Sequence, residues 1–552
     1  MHSDLIIRGG TIVDGTGAVP FVGDVSVVGD RIVEVVSHDD GGIDSSAHRE
    51  LEAEGRVVTP GFVDSHSQLD VHLDWDPHAT PSSWHGVTSV VIGNCGLSLG
   101  PCRPSDRPRL ATTIADVTGV AESTTLDVPA WDWETYEEYA ASIDRRSAAV
   151  NTGGLVGERT LRLYAMGERA ATNTALTADD VAAIGELAGA ALRAGALGVS
   201  IDRRRSTSPD DTDSELGPIA DALARRGAGV IAATSRADDH ESWAEELTAL
   251  AALARRSGRP TCFEMTSFGH DVDRDMLDTV RAHRRAGVDL RPQTLARPTG
   301  TLYGLDTRTP FDAAPTWLRL GSEGNGRRLQ MLRDSSYRQA LIAEADVHGA
   351  SVALDELFVM LPDDEARYDN DPLRSLAAIA DSRGVSPAAA FIELVLETDA
   401  HVVAHAPHQR DLATIAELLD EPAVVLGLAD TGADLEQIAD ASQPTFLLSY
   451  WVHERQRWPI EEAVRRLTSD AADLFGLADR GRLRAGAFAD INVIDMPSLT
   501  LPIPEFVRDL PDGAGRYVQR AMGYDATIIN GVFVAEFGEP TGLLPGRHLR
   551  SA

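Results

Sequence analysis

Three residues that can bind a metal ion each follow an apolar, strand-like segment of the sequence. His66 ends one such segment, and Gln68 lies two residues further on, so in an extended chain both side chains share a face. Cys95 stands between small residues after a second segment, and a thiolate is a strong zinc ligand. Asp430 follows a third segment, with Gly432 close behind, where a carboxylate can bind a metal and take a proton from water.

Each of these residues also has an ordinary interpretation. His66 could be a polar residue without a ligand role, Cys95 a small buried hydrophobe, and Asp430 a turn or helix-capping residue. Their occurrence at the ends of successive strand-like segments favours a shared role.

Eight apolar segments alternate with amphipathic stretches in the middle of the chain. This pattern is typical of a parallel α/β fold, and eight strands suffice to close a TIM-like (β/α)8 barrel, whose functional residues lie where strands end. Thr177 and Asp180 have the spacing of a capping box, which predicts a helix that runs to about Arg193. The predicted barrel strands are residues 57–63, 88–92, 196–201, 229–233, 260–265, 288–292, 401–405 and 423–428.

Both ends of the chain have the character of strands joined by tight turns. Gly9 and Gly10 separate two alternating segments, Gly29 and Asp30 separate two more, and residues 489–494 and 526–534 resemble them. We therefore predict a small β-sandwich domain composed of residues 1–56 and 484–552, around a catalytic barrel of residues 57–483. Residues 296–331, rich in Gly, Pro, Arg and aromatic side chains, are predicted to form a substrate-covering loop, with a surface insertion as the alternative.

Charge and residue usage narrow the class of partner. The chain has 552 residues, of which 50 are basic and 85 acidic, and its net charge of −35 opposes binding to nucleic acid. It shows no membrane-spanning apolar run, no secretory signal and no disulfide framework among its three cysteines. We expect a cytoplasmic protein that acts on a small-molecule substrate, and the sequence leaves a homo-oligomer open.

Lysine is absent from the sequence, so all 50 basic residues are arginines. A Schiff-base mechanism is therefore excluded, because it requires a lysine amine. A carbamylated lysine that bridges two metal ions is excluded for the same reason.

A set of motifs extends over nearly the whole chain: LIIRGGTIVDG at 5–15, PGFVDSH at 60–66, WHGVT at 84–88, GNCG at 93–96, MGER at 166–169, LTSD at 467–470, DRG at 479–481 and ADINVID at 489–495. Together they resemble the N-acyl-D-amino-acid deacylase (D-aminoacylase) group of the amidohydrolase superfamily. The resemblance implies a TIM-like barrel, a β-sandwich built from both chain ends, and zinc-assisted hydrolysis of an amide on an acylated amino acid. It further implies that His66 and Cys95 are zinc ligands, and that Asp430 is both a ligand and the general base.

The sequence departs from the family's ligand pattern at several positions. The second histidine of the family's His-x-His pair is Gln68 here, and residues 232–236 and 263–266, including Met265, lack the family's mid-barrel histidines. Glu158 stands for a histidine of the third-strand region, and Asp434 for the last histidine of the Ser-Asp-Ala-Gly-Ala-His motif. Since a catalytic zinc needs three protein ligands, only one such set remains, and a two-metal site is not expected.

The first functional hypothesis is an amidohydrolase that cleaves the C–N (amide) bond of a small N-acyl amino acid. One divalent metal, zinc by its ligand types, would bind to His66, Cys95 and Asp430 and activate water, with Asp430 as general base. Arg291 or Arg297 would bind a substrate carboxylate. The sequence leaves open whether a metal is bound.

Two other hypotheses stay open. In a metal-independent enzyme, the carboxylates of Glu158, Asp430 and Asp434 would shift one another's pKa and catalyse cyclisation, isomerisation, elimination or ring opening. Loss of several ligands is also what a non-catalytic pseudoenzyme would show.

Overall fold

The structure is a computed structural model, and it describes residues 3–172, 175–205, 216–235, 240–265, 269–362, 364–408, 412–427, 429–438 and 440–551. Arg236, Thr266 and Leu428, which end segments discussed above, lie outside these ranges. The strands are β1 (Ser3–Ile12), β2 (Phe21–Val28), β3 (Arg31–Ser37), β4 (Ala47–Glu52), β5 (Val57–Pro60), β6 (Phe62–Asp64), β7 (Val87–Ile92), β8 (Asn151–Gly157), β9 (Gly198–Asp202), β10 (Val230–Thr234), β11 (Thr261–Glu264), β12 (Leu290–Thr294), β13 (Gly300–Tyr303), β14 (Phe358–Met360), β15 (Val403–Pro407), β16 (Val425–Leu426), β17 (Ile491–Ile494), β18 (Glu505–Val507), β19 (Arg516–Val518), β20 (Tyr524–Ile529), β21 (Val532–Glu536), β22 (Glu539–Pro540) and β23 (His548–Leu549).

The α-helices are α1 (Arg107–Thr118), α2 (Glu122–Asp127), α3 (Tyr136–Arg145), α4 (Glu158–Met166), α5 (Ala178–Arg193), α6 (Gly217–Arg226), α7 (His240–Ser257), α8 (His270–Arg285), α9 (Pro315–Gly321), α10 (Asn325–Arg333), α11 (Ser335–His348), α12 (Leu376–Arg383), α13 (Pro387–Glu397), α14 (Leu412–Leu419), α15 (Gln443–Phe446), α16 (Ile460–Leu467) and α17 (Ser469–Leu474). A π-helix over Leu447–Glu454 follows α15 directly. Among the described residues, we find no helix that combines the length and the apolar character needed to cross a membrane.

The first and last parts of the chain form one sheet. Its strand order is β22-β21-β20-β17-β5-β1-β2-β3, and β4 pairs with β1. Val25 and Val27 of β2 share a hydrophobic core with Ile491 and Val493 of β17, because alternate residues of a strand point to the same side. The predicted β domain from both chain ends is therefore confirmed. Its strand β5 lies just beyond the predicted boundary at residue 56.

The middle of the chain contains eight parallel strands in the order β6-β7-β8-β9-β10-β11-β12-β16. The first and the last are joined by a parallel bridge between Ser67 and Thr431, where the backbone N–H of Gln68 donates to the Thr431 carbonyl at 2.8 Å. The Ser65 hydroxyl also donates to the Leu426 carbonyl at 2.9 Å. These contacts close the sheet on itself, so the predicted TIM-like barrel is confirmed.

The prediction is wrong for one barrel strand. Residues 401–405 overlap β15, which pairs antiparallel with β13 and β14 in a separate three-stranded sheet. The barrel position belongs instead to β8, whose sequence NTGGLVG lacks the continuous apolar run typical of a buried parallel strand. Its glycines serve close packing: a Cβ on Gly157 would lie 2.4 Å from the carbonyl oxygen of Gly96.

The residues between β12 and β16 form an insertion with its own hydrophobic core. Trp317 and Phe391 lie in this core, and each is only 1% exposed. Residues 296–331, predicted to be a loop, are folded, since they include β13, α9 and most of α10. That this segment covers the substrate stays a prediction. Thr299 within it, and Leu295 just before it, line the cavity that leads to the candidate site.

The sequence signals for one helix are confirmed in detail. The Thr177 hydroxyl accepts the backbone N–H of Asp180 at 3.2 Å, and the Asp180 carboxylate accepts the N–H of Thr177 at 2.8 Å, which is the predicted capping box at the start of α5. Gly195, with φ of 106°, then redirects the chain into β9.

Candidate active site

The ends of the first, second and eighth barrel strands bring His66, Cys95 and Asp430 together. Nε2 of His66 lies 3.1 Å from Oδ1 of Asp430 and 3.6 Å from Sγ of Cys95. His66 and Cys95 are 3% and 6% exposed. The three side chains converge because the carboxyl ends of parallel barrel strands meet at one rim.

The backbone around these side chains is held in an uncommon conformation. Cys95, Asp430 and Asp434 have φ values of 54°, 43° and 41°, in the left-handed region that favours glycine. The turn at Cys95 is fixed by the N–H of Gly96, which donates to the Ser200 hydroxyl at 3.1 Å. Such conformations are maintained only where the surrounding structure enforces them, and they cluster at functional sites.

Glu264, at the end of β11, is a further donor that the sequence reasoning missed. Its Oε1 lies 4.0 Å from Nε2 of His66, and the ligand atoms of His66, Cys95 and Glu264 all lie within 4.8 Å of one another. The neighbouring Met265 is fully buried in the hydrophobic core. The signal was a carboxylate at the end of an apolar strand, which can supply an oxygen ligand in place of an imidazole.

The residues that replace the family's histidines lie in different places. Nε2 of Gln68 donates to Sγ of Cys95 at 3.0 Å, so Gln68 contacts the cluster as a hydrogen-bond donor. Asp434 lines the same open cavity as Asp430. Glu158 is the first residue of α4, and it is not among the described residues that line that cavity.

An open cavity of about 400 Å³ leads to the cluster. Neither arginine predicted to bind a carboxylate is among its described lining residues. Arg291 lies near the start of β12, away from the rim, and pairs with Asp289 at 2.7 Å. Arg297 is 1% exposed and pairs with Asp440 at 3.0 Å. The lining includes Cys95, Arg159, Asp202, Arg204, Glu264 and Asp430.

The sequence model of the amidohydrolase family matches residues 49–535. The chain belongs to the amidohydrolase family. It is 27% identical to the D-aminoacylase of Alcaligenes xylosoxydans xylosoxydans, over 99% of this chain and 97% of that protein. It is 26% identical to the N-acyl-D-glutamate deacylase of the same organism, over 99% and 96%. The solved structure of an N-acyl-D-glutamate deacylase from Bordetella bronchiseptica, complexed with zinc and a phosphonate inhibitor, matches all of this chain at 23% identity and a TM-score of 0.68.

These matches confirm the predicted resemblance to the D-aminoacylase group. As an amidohydrolase, the chain is a hydrolase that acts on C–N bonds other than peptide bonds.

Burial and charge set the protonation of the amidohydrolase cluster. Burial disfavours both charged forms of the His66–Asp430 pair, yet their contact holds the pKa of His66 above its usual value and that of Asp430 below its own. Burial raises the pKa of Glu264 to about 7, and the Asp430 charge adds to the effect. Burial also raises the pKa of the Cys95 thiol. The cluster therefore holds one ion pair beside a carboxyl group that titrates near neutral pH.

Proposed function

We propose that this amidohydrolase cleaves the amide bond of a small N-acyl-D-amino acid with a single divalent metal ion held by His66, Cys95, Asp430 and Glu264. The observation that carries the proposal is the meeting of these four donors at one end of the barrel. The substrate class comes from the D-aminoacylase and the N-acyl-D-glutamate deacylase to which the chain is similar.

The donor set fits one zinc ion. A tetrahedral zinc with ligands at about 2.0–2.3 Å places its donor atoms roughly 3.3–3.6 Å apart. The distances from Nε2 of His66 to the other donors are 3.1, 3.6 and 4.0 Å, so small side-chain shifts would bring these donors around one ion. Three of them at a time would leave the fourth position of the ion for water, as a catalytic zinc requires. A second ion finds fewer ligands, because the chain has no lysine and Gln68 donates its amide hydrogen toward Cys95.

Asp430 carries the proton transfers in the proposed reaction. Zinc bound at such a site lowers the pKa of water and polarises an amide carbonyl. Asp430 lines the cavity and has a depressed pKa, so at neutral pH its carboxylate can accept the proton of the attacking water. The same carboxyl group then delivers that proton to the leaving nitrogen, which departs as an amine.

Elemental analysis of protein purified without added metal tests the metal. We expect about one equivalent of zinc in the wild type, and less than about a tenth in Cys95→Ser, because a thiolate is a stronger zinc ligand than a hydroxyl. Cys102→Ser is the matched control, since Cys102 is equally buried but lies outside the cluster. A wild type with less than about a tenth of an equivalent, fully active in chelator, would overturn the single-metal mechanism.

Release of free amine from N-acetyl-D-amino acids tests the reaction itself. We expect hydrolysis by the wild type and by Cys102→Ser, with loss in Cys95→Ser. No hydrolysis of any acylated amino acid by metal-loaded protein would overturn the proposed substrate class.

A metal-independent reaction is the second candidate, and one observation favours it. Asp430 and Asp434 line one cavity, and burial together with the Asp430 charge raises the pKa of Asp434. Two carboxyl groups with opposite pKa shifts can act as an acid/base pair. This candidate requires that Asp434→Asn reduce activity, and retention of full activity by this variant would eliminate it.

A further inference from the structure

One side chain in the cavity has hydrogen-bonding capacity that the proposed mechanism does not use. Arg204 lines the cavity together with Cys95, Glu264 and Asp430, and its side chain is 49% exposed. Its Nε donates to Oδ1 of Asp202 at 3.1 Å. In the part of the chain that the structure describes, its two terminal nitrogens, Nη1 and Nη2, have no hydrogen-bond partner.

Asp202, which is 8% exposed, holds the guanidinium of Arg204 in place through the bond to its Nε. The Asp202 carboxylate accepts hydrogen bonds from the Thr234 hydroxyl at 2.9 Å and from Nη1 of Arg159 at 3.3 Å. The backbone N–H of Arg204 also donates to Asp202, at 3.2 Å. The neighbouring Arg203 anchors this turn through a buried ion pair with Glu246. Arg204 is therefore preorganised before any ligand arrives.

Two arginines meet at this wall of the cavity. Two guanidinium groups, those of Arg159 and Arg204, share the single Asp202 carboxylate. The backbone of Asp202 packs against Gly96, the residue after the candidate metal ligand Cys95. The packing is so close that a Cβ added to Gly96 would lie 2.9 Å from the backbone nitrogen of Asp202. The two guanidinium groups thus lie next to the candidate metal cluster.

We propose that Arg204 binds the carboxylate of the substrate through Nη1 and Nη2. The substrate is then an N-acyl amino acid with a free carboxylate, and not its neutral amide or ester. The two terminal nitrogens of a planar guanidinium carry parallel N–H groups that match the two oxygens of a carboxylate. In an N-acyl α-amino acid, the carboxylate and the scissile amide nitrogen are attached to the same carbon. The carboxylate anchor must therefore lie close to the hydrolytic centre, as Arg204 does. This inference rests on the proposed function.

Binding of analogues that cannot be hydrolysed tests the anchor separately from the reaction. The probes are the N-methanesulfonyl derivatives of D-alanine, D-leucine and D-phenylalanine, each as the free acid and as the primary amide. We expect calorimetry to show that the wild type binds the acids roughly 10- to 100-fold more tightly than the amides, the range for a hydrogen bond to a charged group. Arg204→Gln should lose this preference, and Arg383→Gln, which changes an arginine in a surface ion pair, should keep it.

Arg204→Lys is the second variant and decides the matter if Arg204→Gln does not fold. It keeps the charge but not the two parallel donors, so the preference for acids should fall at least about threefold. The proposal is overturned if the wild type binds the acids no more tightly than the amides. It is also overturned if the folded Arg204 variants keep the wild-type preference for acids. Hydrolysis of the N-acetyl counterparts is measured separately. If the protein hydrolyses none of them but still binds the acids more tightly through Arg204, the proposed reaction is rejected. The role of Arg204 in binding the carboxylate then stands.

Discussion

Nε2 of His66 and Oδ1 of Asp430 lie 3.1 Å apart and connect the first strand of the barrel to the eighth. The contact is adjacent to the backbone bridge between Ser67 and Thr431, so the pair lies where the barrel closes. The geometry of a pair at this seam depends on both strands keeping their register, and the candidate site is therefore coupled to the integrity of the barrel.

The Asp430 carboxylate is the group that we expect to take and deliver the proton. Asp430→Asn keeps the size of the side chain but cannot accept a proton, so kcat/KM should fall by about 10²- to 10⁴-fold. The measurement is steady-state hydrolysis of an N-acetyl-D-amino acid, with thermal unfolding to verify the fold. Asp479→Asn, at a surface ion pair with Arg31, is the control and should retain full activity. More than about a tenth of wild-type kcat/KM in Asp430→Asn would reject this role.

Glu264 is predicted to be a metal ligand. Glu264→Gln replaces a carboxylate with a neutral amide, which is a much weaker ligand for zinc, so the Kd for zinc should rise at least about tenfold. Competition with a chromophoric chelator measures this Kd. Glu397→Gln, at a surface pair with Arg383, should leave it unchanged. An unaltered Kd in Glu264→Gln would place Glu264 outside the metal shell.

His85 gives a pH dependence of stability with a definite sign. Burial lowers its pKa to about 3, and its neutral ring is bonded to the Thr445 hydroxyl at 2.8 Å and the Gln519 carbonyl at 3.0 Å. Because the unfolded chain binds the proton near pH 6.5 and the folded chain does not, His85 stabilises the fold above that pH. Its contribution falls by about 1 kcal/mol per pH unit as the pH drops below about 6.5.

The variant His85→Gln isolates this effect, because other buried groups titrate equally in both proteins. The stability advantage of the wild type should be constant from about pH 8 to 6.5 and then shrink toward about pH 4.5. Chemical denaturation at each pH measures it. A difference that stays constant over the whole range would show that His85 does not titrate as its burial requires.

The buried ion pair between Arg297 and Asp440 is predicted to be structural. Both side chains are nearly inaccessible, at 1% and 3%, and their closest atoms lie 3.0 Å apart. Asp440→Asn leaves the Arg297 charge uncompensated, so it should cost about 3–5 kcal/mol and lower the midpoint of thermal unfolding. Asp473→Asn, at an exposed pair with Arg482, should cost less than about 1 kcal/mol. Equal shifts of the unfolding midpoint in the two variants would contradict a structural role for the Arg297–Asp440 pair.

The sequence by itself determined the barrel, the β domain from both chain ends, and the positions of His66, Cys95 and Asp430 at strand ends. These features are readable because apolar segments, turn residues and the polar residue after each strand are local signals. The family membership rests on the same local motifs.

Only the tertiary structure decided which side chains meet. The sequence predicts residues 401–405 as a barrel strand, but β15 pairs outside the barrel and β8 takes that position. The composition of a strand does not specify its pairing partner, which depends on distant residues. Arg297 and Arg204 are both arginines after barrel strands, yet the first pairs with Asp440 in the interior while the second lines the cavity. Glu264 lies 4.0 Å from His66, whereas Glu158 is not among the described residues that line the cavity. Both outcomes depend on how the barrel strands pack around the site, which the local sequence does not show.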